Sequence, residues 1–198
     1  MSPGTAHGGV NIFGFDLSEM PIGMVTLSNV IFDVRGVVQL VDGPKQWQNR
    51  FETKVSGIKV GQKLKRLQIL HGANVAMPAG HSTGQAASYV MHYADGSQVE
   101  FPIIYGRDLL MLPWVSNKSM SMQKTAEEAT IAWRGMNSSL FFQGLRDDNG
   151  NLPEEKEIRI FKSVWENPRP DEEIASIDYV STMTKGLLPF LIAITVEL

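Results

Sequence analysis

The chain has 198 residues, enough for one domain that buries a core without disulfides or a metal. It contains no cysteine, which excludes a disulfide framework, a cysteine-ligated zinc or iron–sulfur centre and a thiol nucleophile. The formal net charge is -3, whereas proteins that hold nucleic acid mainly through phosphate contacts carry a basic excess, so no nucleic-acid partner is expected. No apolar stretch reaches the roughly 20 residues of a membrane-spanning helix, so no membrane insertion is expected.

The amino-terminal segment, MSPGTAHGGVNIFGF, is rich in glycine and has neither the basic start nor the apolar stretch of a secretion signal. Residues 1–10 are predicted to be a flexible lead, and residues 11–198 a single domain. If the protein is exported, its signal lies outside this sequence.

Short runs of alternating or β-branched residues dominate the chain, and most are followed by Gly, Asp, Asn or Pro. Helical periodicity is scarce, and its best candidate, residues 121–129, has only a weak apolar stripe and is predicted to be a turn or loop. About eight to ten strands without intervening helices predict an all-β sandwich or barrel. The candidate segments for these strands are residues 25–34, 37–41, 54–60, 64–71, two arms within 87–104, 130–134, 140–145, 158–165, 173–180 and 186–196.

The clearest local signal is Asp95-Gly96, a preferred pair for a two-residue hairpin turn because both central positions need positive φ. Pro102 cannot donate to a strand ladder and therefore predicts that the second arm lies at a sheet edge or strand end. With a two-residue loop, the core face of the hairpin is predicted to carry Val90, His92, Val99, Phe101 and Ile103.

The histidines show no metal-ligand spacing, since neither H-x-H nor H-E-x-x-H occurs. His71 and His92 lie at strand positions, where we expect hydrogen bonds in the core to satisfy them. Residues 81–84 form a polar loop without the strand–turn–helix context of a serine nucleophile, so a catalytic triad is not predicted.

Acidic clusters at 127–128, 147–148, 154–157 and 171–173 are predicted to be solvated charge. A glycosidase needs two carboxylates about 5–10 Å apart in a cleft, which adjacent positions in sequence do not indicate. The stretch 147–151, DDNGN, begins like a calcium loop, but Leu152 and Ile158 stand where that loop needs Gly and Glu. The basic run 54–66 is predicted to protect a sheet edge rather than to bind a polyanion.

Three stretches resemble galactose-binding-like jelly rolls, the β-sandwich modules that accompany secreted bacterial glycoside hydrolases and cell-surface regulators. Residues 13–32 resemble the opening segment, although the usual G-V-x-F glycine is absent and SNVIF stands in its place. Residues 67–73 and 89–106 resemble the central hairpin. Residues 165–182, WENPRPDEEIASIDYVST, resemble the closing W-x-N-P-x-P-x-x-x-I-x-S-I-D segment.

This resemblance implies a β-sandwich with jelly-roll topology in an extracytoplasmic, secreted or cell-surface setting. It also implies carbohydrate binding by loops on one rim and no cofactor, although many such modules carry a structural calcium ion and one could be bound here. It does not indicate which sugar is bound, nor the oligomeric state.

Two loops combine an aromatic ring, which can stack on the apolar face of a sugar, with side chains that hydrogen-bond to hydroxyls. Trp47 lies in GPKQWQNRF and Trp114 in GRDLLMLPW. The alternative for each is a ring that covers the open end of the core, and Trp133 and Trp165 are predicted to be core residues of strands. The predicted ligand-binding residues are Trp47, Gln48, Asn49, Arg50, Arg107, Asp108 and Trp114, with no catalytic residue among them.

The sequence therefore predicts a non-catalytic carbohydrate-binding module. The first alternative is a structural or protein-interaction domain that docks on a partner protein and has no sugar ligand. The second is a glycoside hydrolase-like enzyme. Glycan binding separates the first two hypotheses, and two carboxylates in a cleft would favour the third.

Overall fold

The structure is a computed structural model, and it describes residues 17–40, 52–75, 84–109, 130–136, 157–182 and 187–198. Within these ranges every element of regular secondary structure is a β-strand, which confirms the all-β prediction. The same ranges contain no helix that could span a membrane. The predicted strand at 140–145 and the predicted turn at 121–129 lie outside the described residues. The strands are β1 (Gly23–Leu27), β2 (Val30–Val34), β3 (Val38–Gln39), β4 (Lys54–Lys63), β5 (Arg66–Val75), β6 (Gly84–Tyr93), β7 (Gln98–Tyr105), β8 (Thr130–Met136), β9 (Glu157–Glu166), β10 (Glu173–Ser181) and β11 (Leu187–Glu197).

Two antiparallel sheets form a sandwich-like arrangement. One has the strand order β4-β10-β6-β7, and the other has the order β3-β11-β5-β9-β8. Apolar side chains from both sheets meet in one buried cluster, which we call the inner core. Its largest fully buried side chains include Tyr89, Tyr179, Phe161, Leu64, Leu67, Ile69, Met91 and Ile103.

A two-stranded sheet, β1 paired with β2, adds a third layer on the other side of the five-stranded sheet. Its apolar face buries Phe32 and Val34 against β5, β9 and β11 in a second cluster, which we call the outer core. The prediction of a single strand over residues 25–34 was therefore wrong. Ser28 and Asn29 have φ values of 46° and 62°, which suits a tight turn with both central residues left-handed.

Strand β5 lies in the middle of the five-stranded sheet and is apolar on both faces, because a core covers each of them. Leu67 and Ile69 point into the inner core, as their alternation predicts, whereas Leu70 points into the outer core. Gly72 faces the ring of Phe190 on β11, and a Cβ atom there would lie 2.4 Å from that ring. Glycine at this position lets the aromatic ring lie directly on the β5 backbone.

The hairpin of β6 and β7 forms at Asp95-Gly96, but its loop is longer than predicted. The amide of Gly96 donates to the carbonyl of Tyr93, and the amide of Tyr93 donates to the carbonyl of Ser97. This is a three-residue loop with Gly96 in the left-handed region at φ 85°. A two-residue loop would place His92 opposite Val99, whereas the extra loop residue places it opposite Gln98.

That change of register reverses the face of β6, since side chains alternate with a period of two. The inner core receives Tyr89, Met91 and Tyr93, so the prediction that Val90 and His92 face the core was wrong. The prediction for β7 was right, because Val99 and Phe101 pack against the inner core and Ile103 is fully buried. Strand β7 is also an edge strand, as Pro102 predicts.

Strand β10 departs from simple alternation at a β-bulge next to Ala175. The extra residue puts Ile174 on the same side as Ile177 and Tyr179, all within the inner core. Strict alternation along residues 173–180 predicts Ile174 and Ile177 on opposite faces, and the bulge overturns that expectation. After the bulge, Asp178 points to the outer face of the four-stranded sheet.

The segment WENPRP, residues 165–170, closes one end of the sandwich. Trp165 lies in the inner core, which confirms its predicted place, while Trp133 is half-buried against the outer core. The buried amide of Asn167 donates from Nδ2 to the carbonyls of Leu64, at 2.8 Å, and Arg169, at 3.1 Å. Its Oδ1 atom accepts from the hydroxyl of Tyr93 at 2.6 Å and from the amide of Arg169 at 3.0 Å.

Arg169 fastens this segment to the β6–β7 hairpin. Its guanidinium donates to the carboxylate of Asp95 at 2.6 Å and to the hydroxyl of Ser97, and it lies 4.4 Å from the ring centre of Tyr93. Hydrogen bonds from Ser97 and Arg169 hold the pKa of Asp95 well below its usual value. We call this set of contacts the Asn167–Arg169 clasp.

We predict that Gly96→Val lowers the free energy of unfolding by about 1–2 kcal/mol, because a β-branched residue resists the left-handed region. Urea denaturation measures the change. The matched control is Gly36→Val, where φ is not in that region and no atom lies within 4 Å of the added Cβ. Equal effects of the two substitutions would contradict the turn geometry.

Asn167→Ala should lower the free energy of unfolding by about 2–4 kcal/mol, because it removes four hydrogen bonds at a buried site. Tyr93→Phe removes one of those hydrogen bonds and should cost only about 1 kcal/mol. Both values come from denaturant titration at one pH. If Asn167→Ala costs no more than Tyr93→Phe, the amide does not organise this end.

Candidate functional site

The two ends of the sandwich differ in how the chain crosses them. At one end, which we call the turn end, the connections are residues 64–65, 94–97 and 167–172. At the opposite end, which we call the loop end, β3, β5, β7, β8 and β10 finish and β4, β6, β9 and β11 begin. The strands on either side of residues 41–51, 76–83, 137–156 and 183–186 therefore finish and begin at the loop end, while those residues themselves lie outside the described ranges.

The two sequence segments with predicted ligand-binding residues both start at the loop end. Arg107 and Asp108 directly follow β7 there. Before residues 41–51, the amide of Leu40 donates to the carbonyl of Pro189; after them, the carbonyl of Thr53 accepts from Ser181. The other predicted residues, Trp47, Gln48, Asn49, Arg50 and Trp114, lie outside the described residues.

Asp108 is buried and closes a tight turn after β7. Its Oδ2 atom accepts from the amide of Ile104 at 2.6 Å. Arg107 grips the carboxylate with two bonds, from Nε to Oδ1 at 2.9 Å and from Nη2 to Oδ2 at 2.8 Å. The next residue, Leu109, is anchored in the inner core. Asp108 therefore positions Arg107, whose side chain is 44% exposed, at the loop end.

A chain of polar groups runs through the inner core. The Nε2 atom of His71 lies 2.9 Å from the hydroxyl of Ser163, and its Nδ1 atom lies 3.3 Å from the hydroxyl of Tyr89. The rings of Tyr89 and Tyr179 stack with their centres 4.9 Å apart. A neutral imidazole has one donor and one acceptor nitrogen, which matches two hydroxyl partners. The predicted core hydrogen bonds of His71 are confirmed.

Burial controls the protonation of this chain. It lowers the pKa of His71 to about 4, although the charge of Asp108 opposes the shift. Burial also raises the pKa of both Tyr89 and Tyr179 well above 10. The chain is therefore uncharged near neutral pH.

His92 was predicted to lie in the core, but it lies on the outer face of the four-stranded sheet. Its Nε2 atom lies 3.1 Å from Oδ2 of Asp178, which also accepts from Lys54 at 2.7 Å. The amide of Gly57, at a bulge in β4, donates to Oδ1 at 2.8 Å. Burial opposes ionisation of Asp178, but these hydrogen bonds outweigh it and lower the pKa of that carboxyl.

The two buried carboxylates of the described ranges, Asp108 and Asp178, lie in different places and are each bound by protein donors. In the same part of the chain, no three His, Asp or Glu side chains are grouped so that they could hold a metal ion.

Two features of the loop end were missed in the sequence. Arg134 and Arg159 are direct cross-strand partners on β8 and β9, and no motif marks them. Residues 80–84, GHSTG, have the spacing of a nucleophile elbow. Residues 80–83 of this motif lie outside the described residues, and Gly84 is the first residue of β6.

No family model, curated protein or solved structure matches this chain.

His71 should make the protein sensitive to mild acid. Since its pKa is about 4 when folded and 6.5 when unfolded, protons favour the unfolded chain as the pH falls through this window. The free energy of unfolding should drop by about 2 kcal/mol between pH 6.5 and 5. His71→Gln, which keeps a donor and an acceptor but does not titrate, should largely remove this drop.

Urea titrations at pH 7.5, 6.5, 5.8 and 5 measure the effect. The matched control is His92→Gln, which changes the half-exposed histidine of the outer face and should leave the drop in place. An undiminished acid response in His71→Gln would show that another group causes it.

Proposed function

We propose that this chain is a non-catalytic carbohydrate-binding module of a secreted or surface-attached bacterial system, with the jelly-roll topology of galactose-binding-like modules. The observation that carries the proposal is the asymmetry of the sandwich. The turn end is closed by short turns and the Asn167–Arg169 clasp, whereas the longer connections gather at the loop end. A rigid scaffold that presents several loops at one end is a common arrangement for ligand binding.

The strand pairing supports the jelly-roll part of the proposal. Four antiparallel pairs are nested along the chain: β3 with β11, β4 with β10, β5 with β9, and β6 with β7. Successive pairs alternate between the two sheets, because β3–β11 and β5–β9 lie in one sheet and β4–β10 and β6–β7 lie in the other. A long folded-over hairpin that wraps around a core produces this nesting, and the jelly roll is that architecture. Strand β8 is an addition at one edge.

The aromatic residues support a site at the loop end. The rings of Tyr89, Tyr93, Tyr179, Phe161 and Trp165 are buried in the inner core. The exposed large hydrophobic residues of the described ranges are all aliphatic: Ile22, Met24, Ile31, Val38, Val164 and Leu198. Stacking on a sugar needs an accessible ring, and the sequence offers Trp47 and Trp114 in segments that start at the loop end. Gln48, Asn49, Arg50, Arg107 and Asp108 complete the proposed site, with no cofactor.

One observation favours the alternative of a protein-interaction domain. The outer face of the β1–β2 sheet exposes Ile22, Met24 and Ile31, which are 48%, 68% and 55% accessible. Apolar side chains grouped on one face are typical of protein contacts. This alternative predicts a partner protein and no sugar.

We predict that a neutral or charged glycan binds the chain and that Trp47→Ala and Trp114→Ala each weaken binding about ten-fold or more, since each removes a stacking surface. Both variants should melt within a few degrees of the wild type. Calorimetric titration against a glycan panel, with melting curves, measures both effects.

The control is Trp165→Ala, which truncates an inner-core ring and should lower the free energy of unfolding by about 3–5 kcal/mol. If no glycan binds at millimolar concentration, the protein-interaction alternative replaces the proposal. If Trp47→Ala destabilises the protein as much as Trp165→Ala, the Trp47 ring is part of the core.

A further inference from the structure

Three arginines of the described residues lie at the loop end. Arg107 lies two residues after the end of β7, Arg134 lies near the end of β8, and Arg159 lies near the start of β9. Arg134 and Arg159 are opposite each other in the β8–β9 register. The sheet therefore places two positive charges side by side, and such a local positive potential attracts anionic groups.

The three residues belong to one corner of the loop end. The hydrogen bond between His71 and Tyr89 places β6 across the inner core from β5. Strand β7 is the neighbour of β6, and β9 is a neighbour of β5. The segment after β9 binds the β6–β7 hairpin through Arg169, so we place β7 on the same side of the sandwich as β9. The charge of Asp108, beside Arg107, also reaches His71, which pairs with Phe161 on β9.

The guanidinium groups are held in different ways. Arg159 is 5% exposed, and its guanidinium lies 5.7 Å from the ring centre of Phe161 in the inner core. Arg134 is exposed, and Arg107 is half-exposed and gripped by Asp108. All three have partners within the protein. A guanidinium has five N–H donors, so it can bind a protein group and an oxyanion together.

We propose that the glycan bound at the loop end is anionic, and that its carboxylate or sulfate groups bind at the corner formed by Arg107, Arg134 and Arg159. This inference rests on the proposed function and names the class of its ligand. The whole chain is acidic, with a net charge of -3, so recognition of an anion depends on this local group of arginines rather than on the overall charge. Planar guanidiniums suit carboxylate and sulfate because they donate paired hydrogen bonds.

The experiment compares four ligands by calorimetric titration of the full chain: oligogalacturonate, the neutral galactose oligomer of equal length, a sulfated galactan oligomer and its desulfated form. We expect an anionic oligomer to bind about ten-fold or more tightly than its neutral counterpart, as expected for charge-assisted hydrogen bonds. The two anionic arms distinguish a carboxylate from a sulfate ligand. Raising the salt concentration from 50 to about 500 mM should weaken only the anionic ligands.

Arg134→Gln is the main variant, because its side chain is exposed and its removal leaves the cores intact. It should weaken the anionic ligand about five-fold or more and leave the neutral ligand unchanged. Arg107→Gln should act in the same direction. The matched control is Arg66→Gln, which removes the same charge at the turn end, where Arg66 pairs with Glu166 and Glu197.

Equal affinities for charged and neutral oligomers would overturn the inference while leaving the proposed function in place. So would an Arg134→Gln variant that binds the anionic oligomer as the wild type does. If neither class of oligomer binds, the proposed function itself fails. A loss in Arg66→Gln equal to that in Arg134→Gln would show that overall charge, and not this corner, attracts the ligand.

Discussion

The hydrogen-bonded chain from Ser163 through His71 to Tyr89 sets the relative position of the two large sheets. Apolar packing alone tolerates small shifts between sheets, because dispersion and burial have no direction. Hydrogen bonds in a dry interior do have direction, and an unsatisfied buried group costs about 1–3 kcal/mol. His71 on β5 therefore holds Tyr89 on β6 at one level, and the stacked ring of Tyr179 extends that level to β10.

The two ends of the sandwich, on either side of this hydrogen-bonded chain, are built differently. Toward the turn end, the Asn167–Arg169 clasp joins three connections through a single amide and a single guanidinium. Toward the loop end, Asp108 holds Arg107 by two hydrogen bonds. The segment WENPRP carried part of the resemblance in the sequence. In the structure, its Asn167 and Arg169 hold the connections of the turn end together.

The edges of the four-stranded sheet are each protected by different means. Strand β4 has lysines along it and two bulges at Gly57 and Gly61, both with positive φ. Strand β7 has Pro102, which offers no amide to an incoming strand. Most of the basic run 54–66 therefore lies on an edge strand, where its lysines hinder pairing with another strand. Lys54 has a second contact, because it pairs with Asp178 beside His92.

Sequence alone determined the strand content, most strand positions and the inward face of β5 and β7, because alternation with a period of two is a local property. It also determined that Pro102 lies at an edge and that Trp165 is a core residue. It did not determine the face of β6, since one additional loop residue at Asp95-Gly96 reverses every side chain of the arm. The sequence also did not predict the turn at Ser28-Asn29 or the bulge at Ala175, and each of them likewise interrupts the alternation along a strand.

Only the tertiary structure decided which residues of distant strands meet. The pairing of Arg134 with Arg159, the bonds of His71 with Ser163 and Tyr89, and the clasp of Arg169 on Asp95 join positions far apart in sequence. None of these has a local signature, because a single arginine or histidine in a strand looks the same whether it is paired or solvated. Arg107 and Asp108 could be chosen from the sequence as polar neighbours of a tryptophan. That Asp108 is buried and positions Arg107 followed only from the packing of Leu109 into the inner core and from the amide of Ile104.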